Sequence, residues 1–206
     1  IYVTEGFEKK YGDRLAGCRY ELISDAVCRH LSDTRTPQGV TALVKKQETP
    51  LEEILARDEN PCLFLLENLQ DPGNMGTILR TSEGAGVSGI IINRESVDPY
   101  NPKVIRSTMG AIFRMPFVIV DDLEDVLCRL KEAGVRTFAA HLDGEDFYRQ
   151  DYRGGCAFFI GNEGNGLSEN LAARADGRIR IPMKGQVESL NAAVAATVLM
   201  YETLRQ

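Results

Sequence analysis

The sequence has few histidines and no cysteine pair with the spacing of a metal site or a disulfide framework. Its two histidines, His30 and His141, lie far apart and outside any Cys/His cluster, so we expect no metal. The cysteines are odd in number and scattered, which favours reduced thiols in a cytoplasm. They are Cys18, Cys28, Cys62, Cys128 and Cys156.

Long apolar runs are also missing. No stretch approaches the ~20 apolar residues that a membrane-spanning helix needs. The opening IYVTEGFEKKYG lacks the apolar centre of a signal peptide. These absences favour a cytoplasmic protein without a membrane partner.

Positive charge is scarce as well, since 24 Lys and Arg face 30 Asp and Glu, a net charge of −6. Residues 1–50 hold eight Lys/Arg and seven Asp/Glu, a balance of +1, which leaves −7 for the remainder. Such a chain is disfavoured as a general counterion-release binder of nucleic acid, although a local basic surface stays possible.

What the sequence does contain is an α/β pattern from residue 61 onward. Near-continuous apolar strands alternate with helical stretches, which predicts a parallel sheet with helices on both faces. Strands are expected at 62–67, 89–93, 115–120, 136–140 and 157–161, with a last one at RIRIP. Helices are expected at about 74–86, 121–133, 167–174 and 190–205.

Residues 1–48 predict a small α+β piece. A helix in SDAVCRHLSD has Ser24 as its candidate N-cap and an apolar stripe at Ala26, Val27 and Leu31, and VTALV predicts a strand. Residues 49–60 are polar and flanked by proline, so we expect a linker with a short helix at about 50–57.

The first candidate functional segment is NLQDPGNMGTILRTSEGAG, residues 68–86, which follows a buried strand. Open α/β sheets place ligands at that end of their strands. Asn74 is the candidate N-cap of the helix, whose buried stripe should be Met75, Ile78, Leu79 and Ser82. Arg80 falls outside that stripe, so it is either a functional residue or an exposed arginine with a surface partner.

The same segment contains a GxGxxG pattern at Gly84, Gly86 and Gly89. A dinucleotide loop needs a strand before it and a helix after it, and here the order is reversed. We therefore expect a helix end and a turn, which disfavours a Rossmann-type oxidoreductase.

Two further segments carry polar residues in unusual density. FFIGNEGNGLSENL, residues 158–171, runs from a strand into a loop with three glycines and Glu163, which permits close approach of a ligand to the backbone. In residues 179–204, Ser189 is the candidate N-cap of a long alanine-rich helix, with Asn191 beside it. We expect the apolar seam of that helix at Leu190, Val194, Val198 and Tyr201.

In this order, DPGNMGTILRTSEGAG, GNEGNGLS and IPMKGQVESLNAAVAA resemble the three motifs of the SpoU-type (TrmH-type) 2′-O-ribose RNA methyltransferases of the SPOUT superfamily. STMGAIFRMP is similar to the small-residue segment that this family has between its first two motifs. The resemblance covers about residues 61–206. Residues 20–44 are similar to the end of the RNA-binding domain that many members carry in front, so a partial domain is expected there.

The resemblance implies a C-terminal trefoil knot, S-adenosylmethionine as cofactor, an RNA substrate and a homodimer. Ribosomal RNA is favoured over tRNA. It assigns Asn74, Arg80, Glu163, Ser189 and Asn191 to the active site, and Gly161, Ile181, Met183 and Leu190 to the cofactor. Arg80 would bind a phosphate and polarise the hydroxyl rather than act as a base, because a guanidinium stays charged. The alternative is a non-catalytic RNA-binding or assembly factor that retains the fold.

Overall fold

The computed structural model describes residues 1–47 and 49–206 and divides the chain into two compact units, Ile1–Gln47 and Glu48–Gln206. The end of the expected N-terminal piece, Glu48, lies outside the described residues. Within the described ranges, no helix is long and apolar enough to cross a membrane.

The first unit is a three-stranded sheet in which β1 pairs in parallel with β2 and antiparallel with β3. Its elements are β1 (Tyr2–Thr4), α1 (Glu5–Tyr11), β2 (Glu21–Ile23), α2 (Asp25–Leu31) and β3 (Val40–Thr41). Ser24 is the N-cap of α2 as expected, accepting from the backbone N–H of Val27 at 3.3 Å. The expected stripe of α2 is wrong, because its residues are exposed and Cys28 alone is buried. A helix of seven residues has only about two turns, so a single buried side chain can be its main packing contact. In α2 that side chain is Cys28.

The second unit is built on a six-stranded parallel sheet of order β6-β5-β4-β8-β7-β9, which confirms the expected fold class. The strands are β4 (Cys62–Leu66), β5 (Gly89–Asn93), β6 (Phe117–Val120), β7 (Arg136–Asp146), β8 (Cys156–Ile160) and β9 (Gly177–Arg180). The helices are α3 (Leu51–Leu55), α4 (Pro72–Ala85), α5 (Pro102–Ser107), α6 (Leu123–Glu132), α7 (Glu169–Arg174) and α8 (Ala192–Arg205). Strand β7 departs from expectation, since it continues well beyond residue 140, and helix α5 was not among the expected helices.

The sheet is buried on both faces because alternate side chains of its central strands point in opposite directions. Phe64 and Leu66 lie in one hydrophobic cluster with α4 and α8, while Leu63 and Leu65 lie in the other with α3, α6 and α7. Helix α3 is part of this core, since Ile54 is fully buried. Residues 49–60, expected as a linker, therefore include a helix that packs on the sheet of the second unit.

The end of the chain returns from the edge of the sheet to its centre. Strand β9 lies outermost beside β7, yet α8 packs against α4, where Ser82 Oγ lies 3.6 Å from Met200 Sδ. The connecting residues 181–191 pass the carboxyl ends of the strands, where ligands bind in open α/β sheets. The trefoil knot expected along this return path stays a prediction.

Candidate active site

The first wall of the site is the start of α4. Asp71, not Asn74, is the N-cap, and its carboxylate accepts from the backbone N–H of Asn74 at 2.8 Å. Pro72 fits the first helical position because its missing N–H would have no partner there. Asn74 is therefore inside the helix and 8% exposed, with its side-chain amide free to bind other loops. The stripe expected at Met75, Ile78, Leu79 and Ser82 is confirmed, since all four are fully buried.

The far end of α4 removes the dinucleotide-binding alternative. Gly86 ends the helix in the left-handed region at φ 73°, and Gly89 begins β5. The glycine pattern therefore follows a helix and precedes a strand, as expected from the sequence. Among the described residues around Gly86, no helix N-terminus lies where a phosphate would need it.

The second wall is the glycine-rich loop after β8. A Cβ on Gly161 would lie 2.1 Å from the backbone N of Leu167 and 2.2 Å from the carbonyl carbon of Gly166, so only glycine fits. Asn162 and Gly166 exchange two backbone hydrogen bonds across the loop. The side chain of Asn162 donates to the carbonyl of Asn68 at 2.7 Å, which ties this loop to the one before α4.

Glu163 fastens the two walls together. Its carboxylate accepts from the backbone N–H groups of Gln70 at 3.0 Å and Asp71 at 2.9 Å, and from Asn74 Nδ2 at 2.9 Å. Desolvation raises the pKa of Glu163, but these hydrogen bonds hold the pKa below its ordinary value. The site therefore contains a carboxylate kept ionised by its own fold.

The third wall is the start of α8. Asn191 is the N-cap and accepts from the backbone N–H groups of Ala193 at 2.9 Å and Val194 at 3.3 Å. The expectation that Ser189 caps this helix is therefore wrong, and Ser189 lies in the exposed segment before it. Asn191 Nδ2 also donates to Asn74 Oδ1 at 2.8 Å, so Glu163, Asn74 and Asn191 form one continuous chain of hydrogen bonds.

The expected apolar seam of α8 is wrong as well. Val194 and Tyr201 are 49% and 50% exposed, and Leu190 is exposed too. The face that packs on α4 and the sheet is formed by smaller residues and by the far end of the helix: Ala192, Ala193, Ala196, Leu199 and Met200. Small side chains let the two helix backbones approach, which leaves the larger apolar residues outside.

Arg80 is separated from this chain of hydrogen bonds. Six residues beyond Asn74, it lies roughly 9 Å further along the helix axis and on another face. It is exposed and forms no hydrogen bond or ion pair with the described residues, so the expected alternative of a surface partner finds no support. Within one chain, hydrogen bonds join three of the five predicted active-site residues, Asn74, Glu163 and Asn191, and leave Arg80 outside.

A cavity of about 360 Å³ opens between the second and third walls. All four predicted cofactor residues line it, together with Glu163 and Ser189: Gly161, Ile181, Met183 and Leu190. Residues 182–190 form no backbone–backbone hydrogen bond with the described parts of the chain, so their peptide groups are free to bind a polar ligand. Apolar side chains beside free peptide groups fit a nucleoside such as the adenosine of S-adenosylmethionine.

His141 and Leu142 are among the residues of this cavity that sequence reasoning missed. They lie in β7, just beyond residue 140, where the strand was expected to end. The rule that ligands bind beyond the carboxyl ends of parallel strands would have pointed to them. No group of three or more potential metal ligands occurs among residues 1–47 and 49–206.

Comparison with known proteins gives consistent results. Residues 61–201 match the model of the SpoU rRNA Methylase family. The 23S rRNA (guanosine(2553)-2′-O)-methyltransferase RlmP of Bacillus subtilis is 32% identical over 92% of this chain and 74% of its own length. The 23S rRNA (guanosine-2′-O-)-methyltransferase RlmB of Vibrio cholerae is 35% identical over 82% of this chain and 70% of its own.

Solved structures are similar over almost the whole chain. An AdoMet-bound rRNA methyltransferase from Sinorhizobium meliloti has a TM-score of 0.87 at 31% identity, covering 99% of this chain and 79% of its own. The SpoU methyltransferase AviRb from Streptomyces viridochromogenes, in complex with AdoMet, has a TM-score of 0.86 at 30% identity. That match covers 100% of this chain and 81% of the other.

Proposed function

The chain belongs to the SpoU rRNA methylase family, and from that premise we propose that it transfers a methyl group from S-adenosylmethionine to a ribose 2′-hydroxyl of ribosomal RNA. The observation that carries the proposal is the hydrogen-bonded chain Glu163–Asn74–Asn191 beside the cavity of Gly161 and Leu190. A polar set held this firmly at the cavity favours catalysis over a non-catalytic RNA-binding or assembly factor.

The chemistry asks the protein mainly for positioning. S-adenosylmethionine supplies, when bound, a methyl group activated by a sulfonium. The free peptide groups of residues 182–190 would hold the nucleoside part, and Ile181 and Met183 would cover its apolar faces. Glu163, Ser189 and Asn191 would orient the ribose and the cofactor, since alignment of the reacting atoms can supply much of the rate of such a transfer.

Arg80 would bind the phosphate next to the target ribose and polarise the hydroxyl. A guanidinium grips phosphate with two parallel hydrogen bonds and remains charged, which suits an electrostatic role. Because Arg80 lies away from Asn74 and Glu163 in its own chain, we infer that it completes the site of a second copy.

A homodimer is therefore part of the proposal. The outward face of α8 exposes Val194 at 49%, Tyr201 at 50% and Leu204 at 61%, and an apolar stripe of this kind is typical of a surface that is covered in solution. Light scattering at tens of micromolar should give twice the chain mass, and Tyr201→Glu should lower it towards that of one chain. A parent chain that is already monomeric would contradict the dimer.

The first unit, residues 1–47, is proposed to contribute to RNA binding. Its support is the resemblance of residues 20–44 to the end of an RNA-binding domain and a charge balance less acidic than that of the remainder. A cytoplasmic location is part of the same proposal. Its support is that all five cysteines are free thiols, as a reducing compartment keeps them.

The decisive experiment combines ligand binding with methyl transfer. Calorimetry should show binding of S-adenosylhomocysteine and no binding of NAD, since the glycine-rich turn at Gly86 follows a helix. Radiolabelled methyl groups from S-adenosylmethionine should enter deproteinised 23S ribosomal RNA. The phosphodiester bond that follows one nucleotide should then resist alkaline hydrolysis, which is the mark of a 2′-O-methyl group. Binding of cofactor without any transfer to RNA would favour the non-catalytic alternative instead.

A further inference from the structure

Residues 99–120 contain no Asp or Glu, although the whole chain carries a net charge of −6. The stretch includes Lys103, Arg106 and Arg114. Arg114 is paired with Glu83 at 2.8 Å. The side chains of Lys103 and Arg106 are exposed and form no hydrogen bond or ion pair with the described residues. Helix α5 thus presents two cations that nothing in the described chain neutralises.

The turn after α5 exposes two large apolar side chains beside these cations. Met109 is 71% exposed and Phe113 is 51% exposed. Met109 also has φ 50°, a left-handed conformation that a non-glycine residue seldom adopts and that is found preferentially at functional positions. Its neighbours Thr108 and Ala111 are buried and hydrogen-bonded to each other, so the turn is held in place while the Met109 side chain points outward.

This turn lies next to Arg80. A Cβ on Gly76 of α4 would lie 2.3 Å from Ser107 Cβ, and Glu83 of the same helix binds Arg114. Positions 76, 80 and 83 share one face of the helix, because they are spaced i, i+4 and i+7. Arg80 therefore projects between the two points at which residues 107–114 are anchored to α4.

We propose that Lys103, Arg106, Met109 and Phe113 form a binding surface for the RNA segment that adjoins the methylated nucleotide. The two cations would contact phosphates, and Phe113 would stack on an unpaired base with Met109 against its edge. Single-stranded RNA is bound in this way elsewhere, by cationic grooves with aromatic platforms. This inference rests on the proposed function, since it places RNA beside Arg80.

Charge separates RNA from the other candidate occupant, a second copy of the chain. A two-fold interface over this surface would bury Lys103 and Arg106 of both copies, and residues 99–120 offer no carboxylate to pair with them. The exposed stripe of α8 already offers an apolar face for self-association without unpaired cations. Phosphate is the partner that fits two unpaired cations next to an exposed aromatic ring.

The test uses the full chain and deproteinised 23S ribosomal RNA as the probe. Phe113→Ala and Met109→Asn should each weaken RNA binding about 10-fold, the effect of losing one stacking contact. Asparagine tolerates the left-handed conformation, so Met109→Asn should melt at or above the parent temperature. Tyr148→Ala is the matched control, because Tyr148 is also 50% exposed in a short 3₁₀ turn but lies after β7. It should bind RNA as the parent does.

The contribution of Lys103 and Arg106 is measured separately, through the salt dependence of RNA binding. Lys103→Gln with Arg106→Gln should reduce the slope of log affinity against log salt by roughly 1.4–1.8, the equivalent of two phosphate contacts. The affinity for S-adenosylhomocysteine and the molar mass should stay at the parent values in every variant.

Parent-like RNA affinity in Phe113→Ala and an unchanged salt slope in the double variant would overturn this surface alone, provided that the parent chain still methylates the RNA. A fall of the molar mass to that of one chain would assign the surface to a second copy and also overturn it. If the parent binds RNA but transfers no methyl group, the proposed function fails while the binding comparison still decides the surface. Absence of RNA binding by the parent would overturn both.

Discussion

Helices α4 and α8 both have 14 residues, start at the site and pack against each other. Different properties nevertheless decide which of their side chains are buried. Helix α4 buries its apolar residues together with Asn74 and Ser82, and it exposes Thr77, Arg80 and Glu83. Helix α8 buries three alanines and leaves Val194, Tyr201 and Leu204 exposed. Burial on α4 follows hydrophobicity, whereas burial on the first turns of α8 follows size, because close helix contact admits only small side chains. The position of an apolar residue on α8 therefore does not by itself show which face of the helix packs against the core.

The comparison is tested most strongly by replacing a leucine with alanine on the buried face of α8 and, in a second variant, on its exposed face. Leu199→Ala should cost about 2–5 kcal/mol of unfolding free energy, because Leu199 is 1% exposed and its loss leaves a cavity. Leu204→Ala, at 61% exposure, should change it by less than ~0.5 kcal/mol. Urea unfolding at equal protein concentration measures both, and equal losses would contradict the inward and outward faces described here.

The outward face of α4 should matter for activity rather than for folding. Arg80→Ala should slow single-turnover methyl transfer about 10²–10³-fold, as the loss of a preorganised charge at the reacting oxygen does. Melting and cofactor binding should stay near the parent values, because Arg80 is exposed and opens no cavity. Arg80→Lys should rescue poorly, since an ammonium cannot form the two-pronged contact with phosphate.

Thr77→Ala is the control for Arg80, since Thr77 is also exposed on α4. It should methylate at the parent rate. An Arg80→Ala chain that melts early but transfers methyl groups normally would make Arg80 a structural residue.

The N-caps of the two helices give a smaller and more selective effect. Asp71→Ala and Asn191→Ala should each cost about 1 kcal/mol, the usual effect of a lost cap. Asn191→Asp keeps the capping oxygen but cannot donate to Asn74, so stability should hold while the hydrogen-bonded chain to Glu163 breaks. Denaturant unfolding and an S-adenosylhomocysteine titration separate the two roles. If Asn191→Asp binds and transfers as the parent does, the Asn191–Asn74 bond has no part in function.

Acid should affect the start of α4 more than the start of α8, because the Glu163 carboxylate accepts directly from the N-cap residue Asp71 and from Asn74 of α4. The pKa of Glu163 is lowered in the folded chain, so its contribution is present above the unfolded value of about 4.3 and is lost as the pH falls through the folded pKa. Below about pH 4, the Glu163→Gln variant should therefore lose less unfolding free energy than the parent does. The difference should be smaller than the effect of a lost N-cap. Unfolding midpoints at pH 6, 4 and 3 measure this.

Glu132→Gln is the matched control for acid, because Glu132 forms no hydrogen bond or ion pair with the described residues. The pH dependence of Glu132→Gln should follow the parent. A Glu163→Gln profile that also follows the parent would remove the carboxylate from the stability argument.

The sheet and the buried stripe of α4 were predictable because strand alternation and helical periodicity directly record burial. The details that failed depend on neighbours distant in sequence. Asn74 and Ser189 have the residue types of N-caps, but Asp71 and Asn191 occupy the N-cap positions of α4 and α8. Leu51 and Ile54 lie in a polar stretch, and only the sheet beside them makes that stretch part of the core. The site residues themselves were found by resemblance, and their mutual hydrogen bonds could not be read from spacing.

The exclusion of any side chain at Gly161 has a consequence for the gene. Every missense change that a single nucleotide makes in a glycine codon introduces a Cβ, and at this position that atom would overlap the backbone of Gly166 and Leu167. Gly164 and Gly185 are different, since a Cβ meets only one side-chain atom at 3.5 Å in the first case and nothing within 4 Å in the second. Missense changes at codon 161 should therefore disrupt the fold of the loop, whereas changes at the codons three and twenty-four positions later should leave the fold intact.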